Sequence, residues 1–158
     1  MTAAPLRRAG YRLAYVALRA YSLVFRPRTR GVKCLLTAGD EILLVRHSYG
    51  PRQWDLPGGF CKRSETFAAA ARREIAEELG AGTGAGFVEL GQLQRAVMGS
   101  RETLRLFRVE LPTRELGPRS IEIARTGWFP RDALPQRRSP VIDDVLALET
   151  RLSAPDGG

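Results

Sequence analysis

Residues 54–80 read WDLPGGFCKRSETFAAAARREIAEELG, and the fold is decided in this stretch. A proline and the paired Gly58-Gly59 impose a specific turn on its first half. From Thr66 onward the composition changes to alanine, arginine and glutamate, which lose little freedom on entering a helix. Ser64 is placed to cap the start and Gly80 to close the end, so a helix is expected over residues 66–79. Its Ala68, Ala71, Ile75 and Leu79 recur at i, i+3, i+7 and i+11, a ridge that buries against a sheet.

The same helix carries Glu74, Glu77 and Glu78. At 100° per residue the three fall within an arc of about 100°, expected to face outward from the buried ridge. Like charges at these spacings repel by a few tenths of a kcal/mol per pair, and a bound cation relieves the conflict. Carboxylate oxygens without nearby imidazole or thiolate select Mg²⁺, Mn²⁺ or Ca²⁺ rather than zinc. Just upstream, Gly58-Gly59 lets the backbone approach a ligand closely and offer a carbonyl to the same metal. The plain alternative is a solvated glutamate face neutralised by Arg72 or Arg73.

Spacing decides between the two. Gly59, Glu65, Arg73, Glu74, Glu77, Glu78 and Gly80 stand in the order G-x5-E-x7-R-E-U-x-E-E-x-G-U, with U a bulky aliphatic, and the chain thereby resembles the Nudix family. All seven fixed letters match, for which the chance expectation is about 10⁻⁵ at ordinary residue frequencies. The single departure is Ala81, smaller than the usual final aliphatic. Trp54-Asp-Leu-Pro-Gly-Gly also looks like the family's lead-in to the motif.

The resemblance implies an α/β/α sandwich over about residues 31–152. It implies a hydrolase that cleaves a nucleoside diphosphate linked to a moiety X with the help of Mg²⁺, or Mn²⁺ in its place. It assigns Glu74, Glu77, Glu78 and the carbonyl of Gly59 to the metal, and Arg73 to orienting the glutamates by salt bridges. Glu65 and Gly80 take structural roles. The family draws its general base from the motif or from a later glutamate, and Glu122 is the candidate for the latter, as ligand or base. Neither the proline that marks ADP-ribose enzymes nor the tyrosine that marks dinucleoside polyphosphate enzymes stands at its place beyond the motif, and the substrate stays open among a nucleoside triphosphate, an ADP-ribose-like or related compound and a non-nucleotide diphosphate.

Outward from the motif, residues 32–37 and 41–47 read as strands joined by the Ala38-Gly39-Asp40 turn. Arg46, His47 and Tyr49, at the end of the second strand, are expected to line the substrate pocket. Residues 87–98, 103–111 and 121–129 read as three further strands, and Ser139-Pro140 opens a helix to about residue 152. Trp128-Phe129 is expected to anchor the last strand in the core. The elements lack the regular rhythm of a doubly wound sheet, and an α+β fold, an α/β/α sandwich with a mixed sheet, is expected.

The chain has 158 residues, the size of one domain with an appendage. Residues 1–30 hold seven arginines and no acid, whereas the remainder holds 18 basic and 17 acidic side chains. The formal charge of +8 therefore belongs to the N-terminus, which argues against a nucleic-acid-reading face on the folded body. Residues 6–25 read as an amphipathic helix with a row of arginines opposite tyrosines, leucines and Phe25, interrupted by Arg19 and too short in its apolar run to span a bilayer. Packing on its own domain, a homodimer contact, a membrane surface and nonspecific nucleic-acid binding remain open for it. Pro27 to Gly31 reads as a linker, and residues 153–158 as a flexible tail. Cys34 and Cys61 lack zinc or redox spacing and read as thiols of a reducing, cytoplasmic compartment. The rival to hydrolysis is a noncatalytic nucleotide- or partner-binding module on the same fold.

Overall fold

The structure, a computed structural model, describes residues 13–17, 20–21, 28–80, 86–97 and 100–154. Among these residues five strands run in the order β3 (Phe87–Val97), β4 (Ser100–Glu110), β1 (Arg28–Ala38), β2 (Glu41–His47) and β5 (Ile123–Pro130). Only β1 and β4 pair in parallel, so the sheet is mixed as expected. The second strand matches its expected span, whereas β1 starts at Arg28, inside the segment read as a linker. Its early residues Arg28, Thr29 and Arg30 are held by pairing with Arg101, Glu102 and Thr103, long-range partners that local composition does not reveal.

Strand alternation builds a core on each face of the sheet. Val32, Cys34 and Leu36 of β1, Leu43 and Val45 of β2, and Phe107 and Val109 of β4 meet the helix α1 (Phe67–Leu79). Leu35, Ile42, Leu44, Leu104 and Leu106 point the other way, onto Val141, Ile142 and Val145 of α2 (Pro140–Ser153). The layers are therefore helix, sheet, helix. Trp128 packs at the margin of the first core and Phe129 at the margin of the second, where it meets Trp54 edge-on at 4.9 Å.

The feature that positions the site is a gap in the sheet. β1 and β2 pair only at Thr37–Ile42 and Ala38–Glu41, beside the Gly39 turn, and then splay. Residues 54–61 fill the opening. The N–H of Cys34 donates to the Pro57 carbonyl, that of Val32 to Gly59, and that of Cys61 to Arg30, at 2.8–2.9 Å, while Val45 and Asp55 exchange two bonds at 2.9 Å. A segment without regular structure thus acquires ladder partners, which removes the cost of unpaired buried backbone.

Two expectations about α1 are corrected. Its N-cap is Thr66, whose hydroxyl accepts the Ala69 N–H at 3.2 Å, because the extended backbone immediately before the first helical residue lies there and Ser64 sits in the preceding turn. Gly80 closes the helix in the left-handed conformation, as expected. The buried positions are Ala70, Ala71, Ile75, Glu78 and Leu79, and Ala68 is exposed. At 100° per residue the inward arc is centred close to Ala71 and Glu78, which brings Glu78 inward instead of outward; Ala68 falls within the same arc and is exposed in the first turn of the helix.

Residues 13–17 and 20–21 are helical, and the rest of the expected N-terminal helix lies outside the described residues. Among the described residues no helix is long and apolar enough to cross a membrane. Cys34 is buried, Cys61 half-buried, and neither is in a disulfide.

Candidate functional site

Gly58 and Gly59 lie where the inserted segment passes α1. Gly58 has φ of +135°, and a Cβ there would fall 2.2 Å from the Val32 carbonyl oxygen. Its N–H points at the helix and donates to Oε2 of Glu78 at 3.0 Å, across twenty residues of sequence. A Cβ on Gly59 would stand 2.6 Å from the Glu74 carboxylate. The two glycines thus let two carboxylates lie against bare backbone. The Gly59 carbonyl accepts the Val32 N–H, leaving its other lone pair for a further partner.

Arg73 organises the helix face. Its Nε and Nη2 donate to the two Glu65 oxygens at 2.9 Å each, Nη1 donates to Glu74 at 2.7 Å and to Glu77 at 3.1 Å, and Nη2 also reaches the Phe60 carbonyl at 2.9 Å. The fork of a guanidinium suits this task, since its planar donors hold several oxygens at fixed angles. Hydrogen bonding from Arg73 keeps Glu65 ionised down to about 2. The Arg73 guanidinium is in turn held above its ordinary range, chiefly by Glu65.

Burial pushes the Glu78 carboxyl up to about 8, with the charges of Glu74 and Glu122 adding to it and Lys33 and the Gly58 N–H opposing. Glu74 is likewise raised, first by burial; Arg73 opposes, and Glu77 and Glu122 add. Glu74, Glu78 and Glu122 therefore feel one another's charge in a partly dry setting, an excess that a hard cation relieves. Among the described residues no group of three or more acidic, histidine or cysteine side chains already stands around one point as a metal cage. Arg73 draws Glu74 and Glu77 to itself, and Gly58 holds Glu78. The donor set, all carboxylate oxygen beside glycine backbone, nonetheless fits Mg²⁺ or Mn²⁺.

Glu122 stands in the turn before β5, not within the strand expected for it, because β5 begins at Ile123. The turn is tied to its surroundings by Ser120 N–H to the Glu78 carbonyl, 3.1 Å, and by Ser48 N–H to the Glu122 carbonyl, 2.8 Å. The Tyr49 hydroxyl donates to Oε2 of Glu122 at 3.2 Å, and burial first, then Glu122, raises the phenol well above its ordinary range. His47 lies 5.4 Å from Tyr49, ring to ring. Burial, with Lys33 adding, lowers its pKa to about 4, and its buried Nδ1 has no hydrogen-bond partner among the described residues.

The structure thus brings together Gly59, Glu65, Arg73, Glu74 and Glu77 around α1, with Glu78, Glu122, Tyr49 and His47 alongside. Arg46 does not join them. Strand alternation turns it away from His47, and its guanidinium lies 5.7 Å from the Trp54 ring. Gly80 is a helix terminus, packed against the Gly117 backbone. Sequence reasoning missed Lys33, which donates to Asp55 at 2.7 Å and to the Leu56 carbonyl at 2.9 Å and so pins the inserted segment. A lysine inside the apolar run from Val32 to Leu36 was a signal for it.

The family model of the NUDIX domain matches residues 27–148. Comparison with curated protein sequences finds no match. Among solved structures, the MutT NUDIX hydrolase from Burkholderia pseudomallei is similar at 26% identity, with a TM-score of 0.68 over 77% of this chain and 97% of that one. An Ap4A hydrolase from C. elegans, solved as a binary complex, is 20% identical with a TM-score of 0.68, over 78% of this chain and 96% of that one. The NUDIX domain of Shewanella oneidensis NrtR, complexed with ADP ribose, is 16% identical with a TM-score of 0.66, over 80% and 89% respectively. At their identities the last two speak for the fold alone.

Proposed function

The chain belongs to the NUDIX domain family, and from that premise we propose that it is a Mg²⁺-dependent pyrophosphohydrolase acting on a nucleoside diphosphate linked to a second moiety. The observation that carries the reading is the meeting of Glu74 and Glu78 at the Gly58-Gly59 backbone, with Arg73 fixing one carboxylate and the Gly58 N–H the other.

Hydrolysis forms one P–O bond from water, breaks the P–O–P bridge and releases one proton. A diphosphate repels both an attacking water and the carboxylates of the site. When bound, Mg²⁺ neutralises phosphate oxygens and makes water more acidic. Glu74, Glu77, Glu78 and the Gly59 carbonyl are the groups that would hold it. Arg73 keeps Glu74 and Glu77 turned toward one side of α1, so that their geometry does not have to be created on binding. In this reading Glu122 takes up the released proton, supported by the Tyr49 hydrogen bond to its Oε2 and by its charge effect on Glu74 and Glu78. His47 stays neutral at pH 7 and adds no charge to repel a cation.

The test is phosphate or pyrophosphate release by the purified full chain with Mg²⁺ and a panel of nucleoside triphosphates, ADP-ribose, NADH, nucleotide sugars and dinucleoside polyphosphates. Turnover of a compound in the panel, abolished by EDTA and lowered at least about 100-fold in Glu77→Gln and Glu78→Gln variants that melt like the parent, is the expected result. Unchanged turnover in both variants would sink the assignment. Silence across the panel with bound Mg²⁺ would favour a binding module.

A further inference from the structure

A cavity of about 510 Å³ adjoins the acidic cluster through Tyr49 and is built in part by residues outside the matched domain. Tyr15 and Val16 of the N-terminal helical segment form one wall, and Ser48, Tyr49, Pro51 and Arg52 form the other. The contact between the walls is close: the Tyr15 and Tyr49 rings stand 5.7 Å apart, tilted by 42°, and a Cβ on Gly50 would meet the Tyr15 ring at 3.2 Å. The volume lies in the range of small-molecule sites.

We infer that Tyr15 completes the subsite for a nucleobase carried by the substrate, so that the N-terminal segment sets which moiety the hydrolase accepts. This rests on the hydrolase reading above. Two tyrosine rings offer flat π surfaces, which every nucleobase can cover, and Arg52 adds a planar cation that suits either a ring or a phosphate. Tyr49 ties the cavity to the chemistry, because its ring belongs to the wall while its hydroxyl donates to Glu122. A base lying in the cavity therefore presents its attached diphosphate toward Glu122, Glu74 and Glu78. Tyr15 touches only the base in this arrangement, so its removal weakens binding of ring-bearing ligands and spares ring-free ones.

The experiment measures equilibrium binding of AMP, GMP, CMP, UMP and inorganic phosphate to the full chain and to its Tyr15→Ala and Tyr15→Phe variants, all checked for parental melting. At least one nucleotide is expected to bind the parent more tightly than phosphate does. Tyr15→Ala weakens that nucleotide about tenfold, Tyr15→Phe restores it, and phosphate binding shifts less than about twofold. The inference is overturned if no nucleotide outbinds phosphate, or if Tyr15→Ala binds nucleotides as the parent does. Turnover of the diphosphate panel by the same preparations keeps the two ideas separate. Turnover with Tyr15-independent binding removes the subsite and keeps the hydrolase, and Tyr15-dependent binding without turnover does the reverse.

Discussion

Gly59 and Glu74 stand so close that a Cβ on the glycine would lie 2.6 Å from the carboxylate carbon. The obstructed atoms belong to the end of a flexible side chain, so Gly59→Ala can be accommodated by moving the carboxylate off its 2.7 Å bond to Arg73. Gly58 differs, because its Cβ would meet the Val32 carbonyl oxygen at 2.2 Å in a backbone conformation that L-residues rarely adopt.

The neighbouring substitutions should therefore separate function from folding. Gly59→Ala is expected to melt within a few degrees of the parent yet lose roughly 10- to 100-fold in turnover, as removal of groups supporting a metal site does. Gly58→Ala is expected to lose about 3 kcal/mol or more of stability, since neither the strand nor the φ angle can give. Thermal melts and turnover on the same samples check both. Equal destabilisation by the two would mean that Gly59 serves the backbone and not the carboxylate.

The chain has one histidine, which makes its titration readable without assignment. Burial and Lys33 hold His47 down from an ordinary 6.5 to about 4. Its imidazole C–H resonance in proton NMR is expected to stay at the neutral position through pH 6 and to begin moving only in more acid solution. The linkage follows in sign. As pH falls from 6.5 toward 4 the unfolded chain gains a proton that the folded one refuses, so stability is lost over that window and is complete above it. A midpoint near 6.5 would place the ring in water, away from its contact with Tyr49.

What the sequence made legible, and what it did not, divides along the range of the interactions. The helix of residues 67–79 follows from composition and the Gly80 cap, and the β2 span from a β-type apolar run beside a Gly-Asp turn. Both are local signals. The splay of β1 from β2 depends on residues 54–61 finding partners far away, and the start of β1 at Arg28 depends on β4. Arg46 and His47 show a local rule that the sequence reading passed over: adjacent strand residues face opposite sides, which separates a pair expected to share one pocket. Glu78 is the opposite case. Helical spacing groups it with Glu74 and Glu77, yet whether that arc faces water or the sheet depends on where the helix is laid down.

The inward position of Glu78 makes an unusual pH dependence. Its carboxyl is raised from an ordinary 4.5 to about 8, chiefly by burial. Between those values the folded protein keeps a proton that the unfolded chain has released, so metal-free stability falls as pH rises through the window and levels off above it. Glu65 does not offset this, because its proton affinity is depressed by Arg73 and its contribution is constant above 4.5, whereas the depressed His47 opposes it below 6.5, so the fall stands clear of the histidine only above that pH. A cation at Glu78 competes with that proton, so Mg²⁺ should stabilise more as the proton leaves. In EDTA the melting temperature is expected to drop between about pH 6.5 and 8.5, and this slope should flatten in Glu78→Gln. Saturating Mg²⁺ should raise the melting temperature more at the alkaline end than at the acid end. A metal-free melting temperature that climbs across the window, or a Mg²⁺ increment independent of pH, would show that Glu78 is ionised and hydrated in the folded protein and not held in the dry interior behind α1.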